Sequence, residues 1–408
     1  MEVLYPRCAG LDVGKDEVVA CVRVTEGARP RTATRTFRTY TASLASLAEW
    51  LEAERVTDVV MEATGQYWKP IWYALEARGF ELLLVNARHV KILPGRKTDV
   101  GDAAWLAELL SHGLLRGSFV PPEAIRTLRD LTRYRKRMIE ARTSEIQRIA
   151  KTCTEAGIRL DSVASNPLGV SGRAMLRALL AGERDPAVLA ELAKGRLRRK
   201  LPELEQALAG RFTAHHAVLV RLALEHLEQL EVTIAALDAE VDAAIVPFAH
   251  ARDLLDTIPG IDTRAAETIL GEIGADMTVF PDAAHLASWA GLAPGNNVTG
   301  GKRRSGRRRP GDRWLSGILV ECAWAAARSR NTYLAAQFWR LARRIGKKKA
   351  AVAVAHTILV IAWHLLSRDC TYEELGGDWF SHRDTERTRA RAVAQLERLG
   401  YRVSLDAA

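Results

Sequence analysis

Strand signals fill the first 110 residues of the chain and then stop at Pro121, so any fold has to join a mixed α/β part to an all-helical remainder. CAGLDVGKDEVVACVRV reads as a strand ending at Asp12, a tight turn through Gly14 and a second strand from Val18 to Val24. TATRTFRTY has the alternation of a third strand, LASLAEWLEAE is an amphipathic helix, and VTDVVME is a buried strand ending at Glu62. YWKPIWYALEARG then reads as a helix closed by Gly79, and FELLLVNA as another strand. A three-strand meander followed by alternating helices and strands is the order of an RNase H-like α/β domain.

Beyond Pro121, LRDLTRYRKRMIEARTSEIQRIAKTCTEAG is a long helix with a face of Arg and Lys. AHHAVLVRLALEHLEQLEVTIAALDAEVDAAI is another, with Leu222, His226, Leu230 and Ile234 on one stripe. Two such helices predict an antiparallel arm and a dimerisation coiled coil. The third segment opens with LLDTIPGIDTRAAETILGEIG, a helix, a Gly-containing hairpin and a second helix, and continues through a basic stretch into further helices. The expected organisation is α/β plus all-α. Its parts are an RNase H-like domain at 1–118, a helical arm at 119–250, a helical domain with a helix-hairpin-helix at 251–368, and a tail at 369–408.

The sequence carries a net charge of +10, which points to a polyanionic partner, DNA or RNA. The charge concentrates in GGKRRSGRRRPGDRW (300–314) and KGRLRRK (194–200). The five cysteines are scattered without paired spacing, so they read as small apolar side chains rather than zinc ligands or disulfides. With no signal-peptide pattern and no long apolar run, the expectation is a cytoplasmic protein without a membrane segment.

KTDVGD (97–102) sets Asp99 and Asp102 three positions apart at a helix start, with Cβ atoms about 5–6 Å apart. Asp12 and Glu62 end the first and fourth strands, which are neighbours in an RNase H-like sheet. All four carboxylates would then meet at one sheet end, where hard oxygen ligands suit Mg²⁺ or Mn²⁺. The alternative for the close pair is that Asp99 caps the helix and Asp102 favours its N-terminal dipole.

In IPGIDTRAAETILGEIG, the turn at Gly260 and the helix behind it can present backbone N–H groups to a phosphate, or can form an ordinary helical hairpin. NNVTGGKRRSGRRRPGD holds two hydroxyls, Thr299 and Ser305, among flexible glycines and guanidinium groups. Lys302, Arg303, Arg304, Arg307, Arg308, Arg309 and Arg313 are the candidate phosphate contacts. The histidines at 215, 216, 356 and 364 lack ligand-spaced partners, and the tryptophans, Trp314 among them, fall in helical stretches that read as core.

Together GLDVGKD, MEATGQYW, NARHVKILPGRKTDVGDAAWLAELL, IPGIDTRAAETILGEIG and WAGLAPGNNVTGGKRRSGRRRPGDRWLSGILVECAW resemble the DEDD transposases of the insertion-sequence family one-ten. The likeness covers Ala9 to Leu110 and Leu254 to Arg368, in an order and spacing that make it specific. It implies a RuvC-like N-terminal domain whose Mg²⁺ ligands fall on Asp12, Glu62, Asp99 and Asp102. It also implies a serine nucleophile in the C-terminal domain, a covalent intermediate assembled between subunits of a dimer or tetramer, and a structured noncoding guide RNA. At the family's serine position this chain has Thr299, whose β-methyl group crowds an attack; Ser305 is the substitute hydroxyl.

Three other readings compete. A Holliday-junction nuclease needs the carboxylates but no protein hydroxyl. An actin-like ATPase or kinase needs a second α/β domain. A noncatalytic DNA-bridging protein needs neither carboxylates nor hydroxyl.

Overall fold

In the computed structural model, which describes residues 2–27, 29–86, 90, 101–295, 297–306, 308, 310–382 and 385–405, the N-terminal strands build one five-stranded sheet. The strands are β1 (Arg7–Val13), β2 (Glu17–Val24), β3 (Arg31–Arg38), β4 (Asp58–Glu62) and β5 (Glu81–Val85), in the order β3-β2-β1-β4-β5. The first three pair antiparallel, while β1, β4 and β5 pair parallel. The central strand β1 is buried on both faces and reads as an apolar run, whereas edge strand β3 is rich in Thr and Arg and largely exposed.

Helices α1 (Thr41–Ala53) and α2 (Trp68–Glu76) cover one face, packing Leu47, Leu51, Ile71 and Leu75 with Leu11, Val59 and Met61 of the sheet. Helix α3 (Asp102–Ser111) covers the other face, with Leu106, Leu109 and Leu110 against Cys8, Val60 and Val85. Its approach is set by Gly10, where a Cβ would stand 2.2 Å from Ala103 O and 2.5 Å from Ala107 N. No side chain fits there.

The chain divides into two compact units, Met1–Val120 and Pro121–Ala408. In the second, α4 (Glu123–Glu155) and α5 (Ala214–Ala244) lie antiparallel, linked by Arg135–Asp238 and by His226 Nδ1–Glu145 Oε1 at 3.0 Å. The seam α5 buries runs through Val220, Leu224, Leu227, Leu230, Ile234 and Val241. The expected four-residue stripe is corrected, because a step of four advances by about 40° on a helix of 3.6 residues per turn. Leu222 therefore faces outward and His226 lies at the edge of the seam, reaching Glu145 of α4, while Leu230 and Ile234 face inward. Short helices between α4 and α5 close a second core around Met175, Leu189 and Leu204.

The C-terminal part comprises α6 (Ala249–Asp256), α7 (Thr263–Ile273), a two-stranded hairpin of β6 (Asn297–Thr299) and β7 (Lys302–Ser305), α8 (Arg313–Ala326), α9 (Tyr333–Ile345) and α10 (Lys347–Arg368). By length and mean hydropathy, 1.8, α10 could cross a membrane. In this fold it is a core helix, with Ala351, Val354, Ala355, Ile358 and Ala362 fully buried. Arg129 ties α4 to the end of α7 through Gly271 O at 2.9 Å and Glu272 O at 2.7 Å.

Candidate functional site

Leu11 pairs with Met61 across the parallel β1–β4 ladder, so one further step sets Asp12 beside Glu62 at the ends of two adjacent strands. Side chains alternate between faces along a strand. Leu11 and Met61 belong to the core under α1 and α2, and Cys8 and Val60 to the core under α3. Asp12 and Glu62 share the α3 face by the same alternation, and both are half-buried. Asp102 opens α3, one residue before the Ala103 that lies over Gly10, with Gly101 as a cap lacking a side chain. A carboxylate there meets the positive end of the helix.

Strand alternation thus directs Asp12 and Glu62 to one end of one sheet face, and Asp102 opens the helix that covers that face. Asp99 lies outside the described residues. Among the described residues, no group of three or more His, Cys, Asp or Glu is gathered closely enough to hold a metal ion. The chemistry of the donor set, carboxylate oxygens only, fits a hard divalent cation.

Cysteines offer no competing nucleophile in either core. Burial pushes the Cys8 thiol up to about 12, Cys322 to about 12 and Cys153 to about 11. Cys370, expected to pack, is exposed.

The second group of predicted residues lies on a β-hairpin rather than in a flexible loop. Thr299 pairs with Lys302 across a two-residue turn of Gly300 and Gly301, whose φ values are +57° and +74°. Both central positions need φ > 0, which makes Gly-Gly a hairpin turn. Thr299 and Lys302 are exposed beside the tip, while the backbone of Ser305 pairs with Asn297 at the base. The side chains of Arg303, Arg304 and Ser305 are outside the described set, as are residues Arg307 and Arg309; Arg308 is exposed. The chain after the hairpin returns to its start, because a Cβ on Gly311 would stand 2.3 Å from Gly291 N and from the Ala290 carbonyl carbon.

Helix α8 follows at once, and an ionic network fixes it. Asp312 accepts from Trp314 N and Leu315 N, each at 2.8 Å, and from Arg133 Nη2 at 3.0 Å. Arg133 also makes a two-pronged contact with the fully buried Glu272, at 2.7 and 2.6 Å. Burial raises the Glu272 carboxyl above its ordinary range, against the pull of Arg133. Trp314, expected in the core, is half-buried beneath three guanidinium groups, those of Arg313, Arg137 and Arg133, at 4.9, 5.5 and 5.7 Å from its ring. These line a cleft of about 550 Å³ between α4, α7 and α8. Sequence reading missed Arg133 and Arg137; the Arg-rich face of α4 was the available signal.

Gly260 has a packing role. Its φ is +93°, and a Cβ there would meet Cys322 O at 2.5 Å and Ala326 N at 2.6 Å on α8. The start of α7 behind it is already capped, with Asp262 Oδ1 accepting from Ala265 N at 2.8 Å. His216 belongs to another cap, its Nδ1 taking the Thr213 N–H at 3.1 Å.

Two family models match the chain, one described as transposase over residues 9–157 and one as transposase of the IS116/IS110/IS902 family over residues 252–340, together more than half of it. The chain is 28% identical over 321 residues to a probable family 20 transposase of Pseudomonas aeruginosa, covering 77% of this chain and 85% of that one. It is 27% identical over 376 residues to the transposase for insertion sequence element IS1111A of Coxiella burnetii, covering 89% and 90% respectively.

Proposed function

The chain belongs to the IS110 family of DEDD transposases, and from that premise we propose that it cleaves and exchanges DNA strands to excise and insert a mobile element, guided by a structured noncoding RNA. The observation that carries the reading is the convergence of Asp12 and Glu62 on adjacent parallel strand ends, on the sheet face that α3 covers and Asp102 opens. Asp12, Glu62, Asp99 and Asp102 would hold Mg²⁺ or Mn²⁺, in an RNase H-like, RuvC-like domain. The chemistry such cations supply is activation of the attacking oxygen of a phosphodiester exchange and stabilisation of the leaving one.

Thr299 presents its hydroxyl at the hairpin tip opposite Lys302, whose ammonium offsets charge building on a phosphate under attack. The hydroxyl oxygen bonds to phosphorus and gives up its proton, a DNA oxygen leaves, and the chain carries the phosphoester until a second strand reverses the step. Ser305 is the alternative hydroxyl. Arg303, Arg304, Arg307, Arg308, Arg309 and Arg313 neutralise phosphates around it. The working form is a homodimer or tetramer that completes this chemistry between subunits, and the long helices α4 and α5 are its arm.

The deciding experiment expresses the protein with its flanking DNA, sequences co-purifying RNA and follows donor–target joining in a plasmid assay. Joint molecules lost in both Asp12→Asn and the Thr299→Ala/Ser305→Ala double variant are expected. Cleavage that survives the double variant would instead indicate hydrolysis by water.

A further inference from the structure

Trp339 is the one exposed tryptophan among ten, with 46% of its surface open. An exposed indole is ordinarily free to turn, but this one is held. Its Nε1–H donates to Ala327 O at 3.0 Å, and it packs edge-on against the fully buried Phe338, with ring centroids 5.2 Å apart. Lys347 Nζ stands over one face of the ring, 5.5 Å from its centroid, which leaves the opposite face for a ligand. The ring borders a groove of about 1000 Å³ whose wall includes Arg328, Arg330 and Asn331.

Cations outnumber acids around that groove. Among the described residues, Arg328, Arg330 and Lys347 have no carboxylate partner within ion-pair distance. Asp378, the acid on the wall, is engaged by His382 Nε2 at 2.8 Å. Where α10 begins beside the groove, Lys347, Lys348 and Lys349 fill the first turn, with no acid among them and Gly346 as an uncapped start. Cations at a helix N-terminus oppose its dipole, so this arrangement costs stability unless an anion is present.

We propose that this groove binds a single strand of nucleic acid, one unpaired base stacking on Trp339 while neighbouring phosphates meet Arg328, Arg330 and Lys347. A fixed indole with a cation over one face and Arg328 and Arg330 beside it is what a single strand offers partners for, since its base π-faces are open and its backbone is anionic. A duplex has no such face to give, because its bases stack on each other. The inference rests on the nucleic-acid chemistry proposed above but uses none of the carboxylate or hairpin residues.

The test is fluorescence anisotropy with labelled oligo-dT, oligo-U and a DNA duplex, on the full-length protein and its variants. Trp339→Ala should weaken both single strands roughly 10-fold, within the range of base–aromatic stacking, and leave duplex affinity unchanged. Trp339→Phe keeps a ring but loses the anchoring N–H, and should retain most of the affinity; it separates stacking from misfolding, with circular dichroism as the control. Arg328→Gln/Arg330→Gln should flatten the log–log salt dependence by about 1.4, two phosphates at about 0.7 each. Relative affinity for dT and U tells a DNA strand from an RNA strand.

Unchanged strand affinity in folded Trp339→Ala overturns the platform and leaves the proposed strand exchange untouched. Unchanged strand affinity with altered sedimentation makes the face a contact between protein copies instead, and equally overturns it. Wild-type protein that binds no nucleic acid at all overturns both proposals.

Discussion

The two groups of candidate chemistry rest on opposite kinds of support. Asp12 and Glu62 end strands that lie inside a five-stranded sheet, with helices over both faces and no free backbone edge. Thr299 sits on a two-stranded hairpin of three and four residues, exposed at a Gly-Gly tip. Carboxylates that must hold a cation need fixed spacing, which strand register supplies. A hydroxyl that must reach a phosphate and later release it is served by a small element that moves without disturbing a core. The contrast predicts that changes on the sheet propagate and changes on the hairpin stay local.

The largest effect belongs to the sheet end. Asp12→Asn or Glu62→Gln keeps shape and removes a charge, so folding should be retained while strand joining falls by more than the roughly 10–100-fold typical of outer ligands. Mg²⁺ titration of the remaining activity checks it; activity with an unchanged metal requirement would break the comparison at its first term. Next comes Gly10→Ala, which puts a methyl group on the α3 backbone. Overpacking of this kind costs about 1–3 kcal/mol or more, and urea unfolding should show it across the N-terminal unit, with activity lost alongside.

How far these features were legible follows from where their signals lie. The strands and helices of the first unit show clear periods, and Asp12 and Glu62 are readable because each ends an apolar run. Gly10 is silent in sequence, since nothing within β1 says that a helix 93 positions later lies against it. The hairpin went unread because Lys302–Ser305 is Lys, Arg, Arg and Ser, without the apolar alternation that marks a strand; only the Gly-Gly pair announces it. Trp314 and Trp339 fall on amphipathic helices like core tryptophans, and only the fold shows the cations gathered around them. Asp99 stays an expectation from the sequence.

Thr299 offers a sharper probe of the hairpin. If its hydroxyl attacks phosphorus, Thr299→Ser removes the methyl group that restricts χ1, and joining should rise or hold, whereas Thr299→Ala should abolish the covalent intermediate. Trapping that intermediate on a nicked substrate reads the difference. Loss only in Ser305→Ala would move the nucleophile to the hairpin base.

The smallest effect tests locality itself. Gly300 has φ +57° and open space around its missing Cβ, so Gly300→Ala costs only the left-handed conformation, about 1 kcal/mol. Because Thr299, Gly300, Gly301 and Lys302 at the tip are all exposed, that cost should appear as a roughly fivefold drop in joining rate, the factor 1 kcal/mol represents, while the unfolding midpoint holds. Gly300→Asn creates an Asn-Gly turn, which adopts the same backbone readily, and should restore the rate. A fall in the unfolding midpoint with Gly300→Ala would mean that the hairpin is knit into the helical unit as tightly as α3 is into the sheet. The distinction between a rigid carboxylate support and a locally adjustable hydroxyl support would then have to be given up.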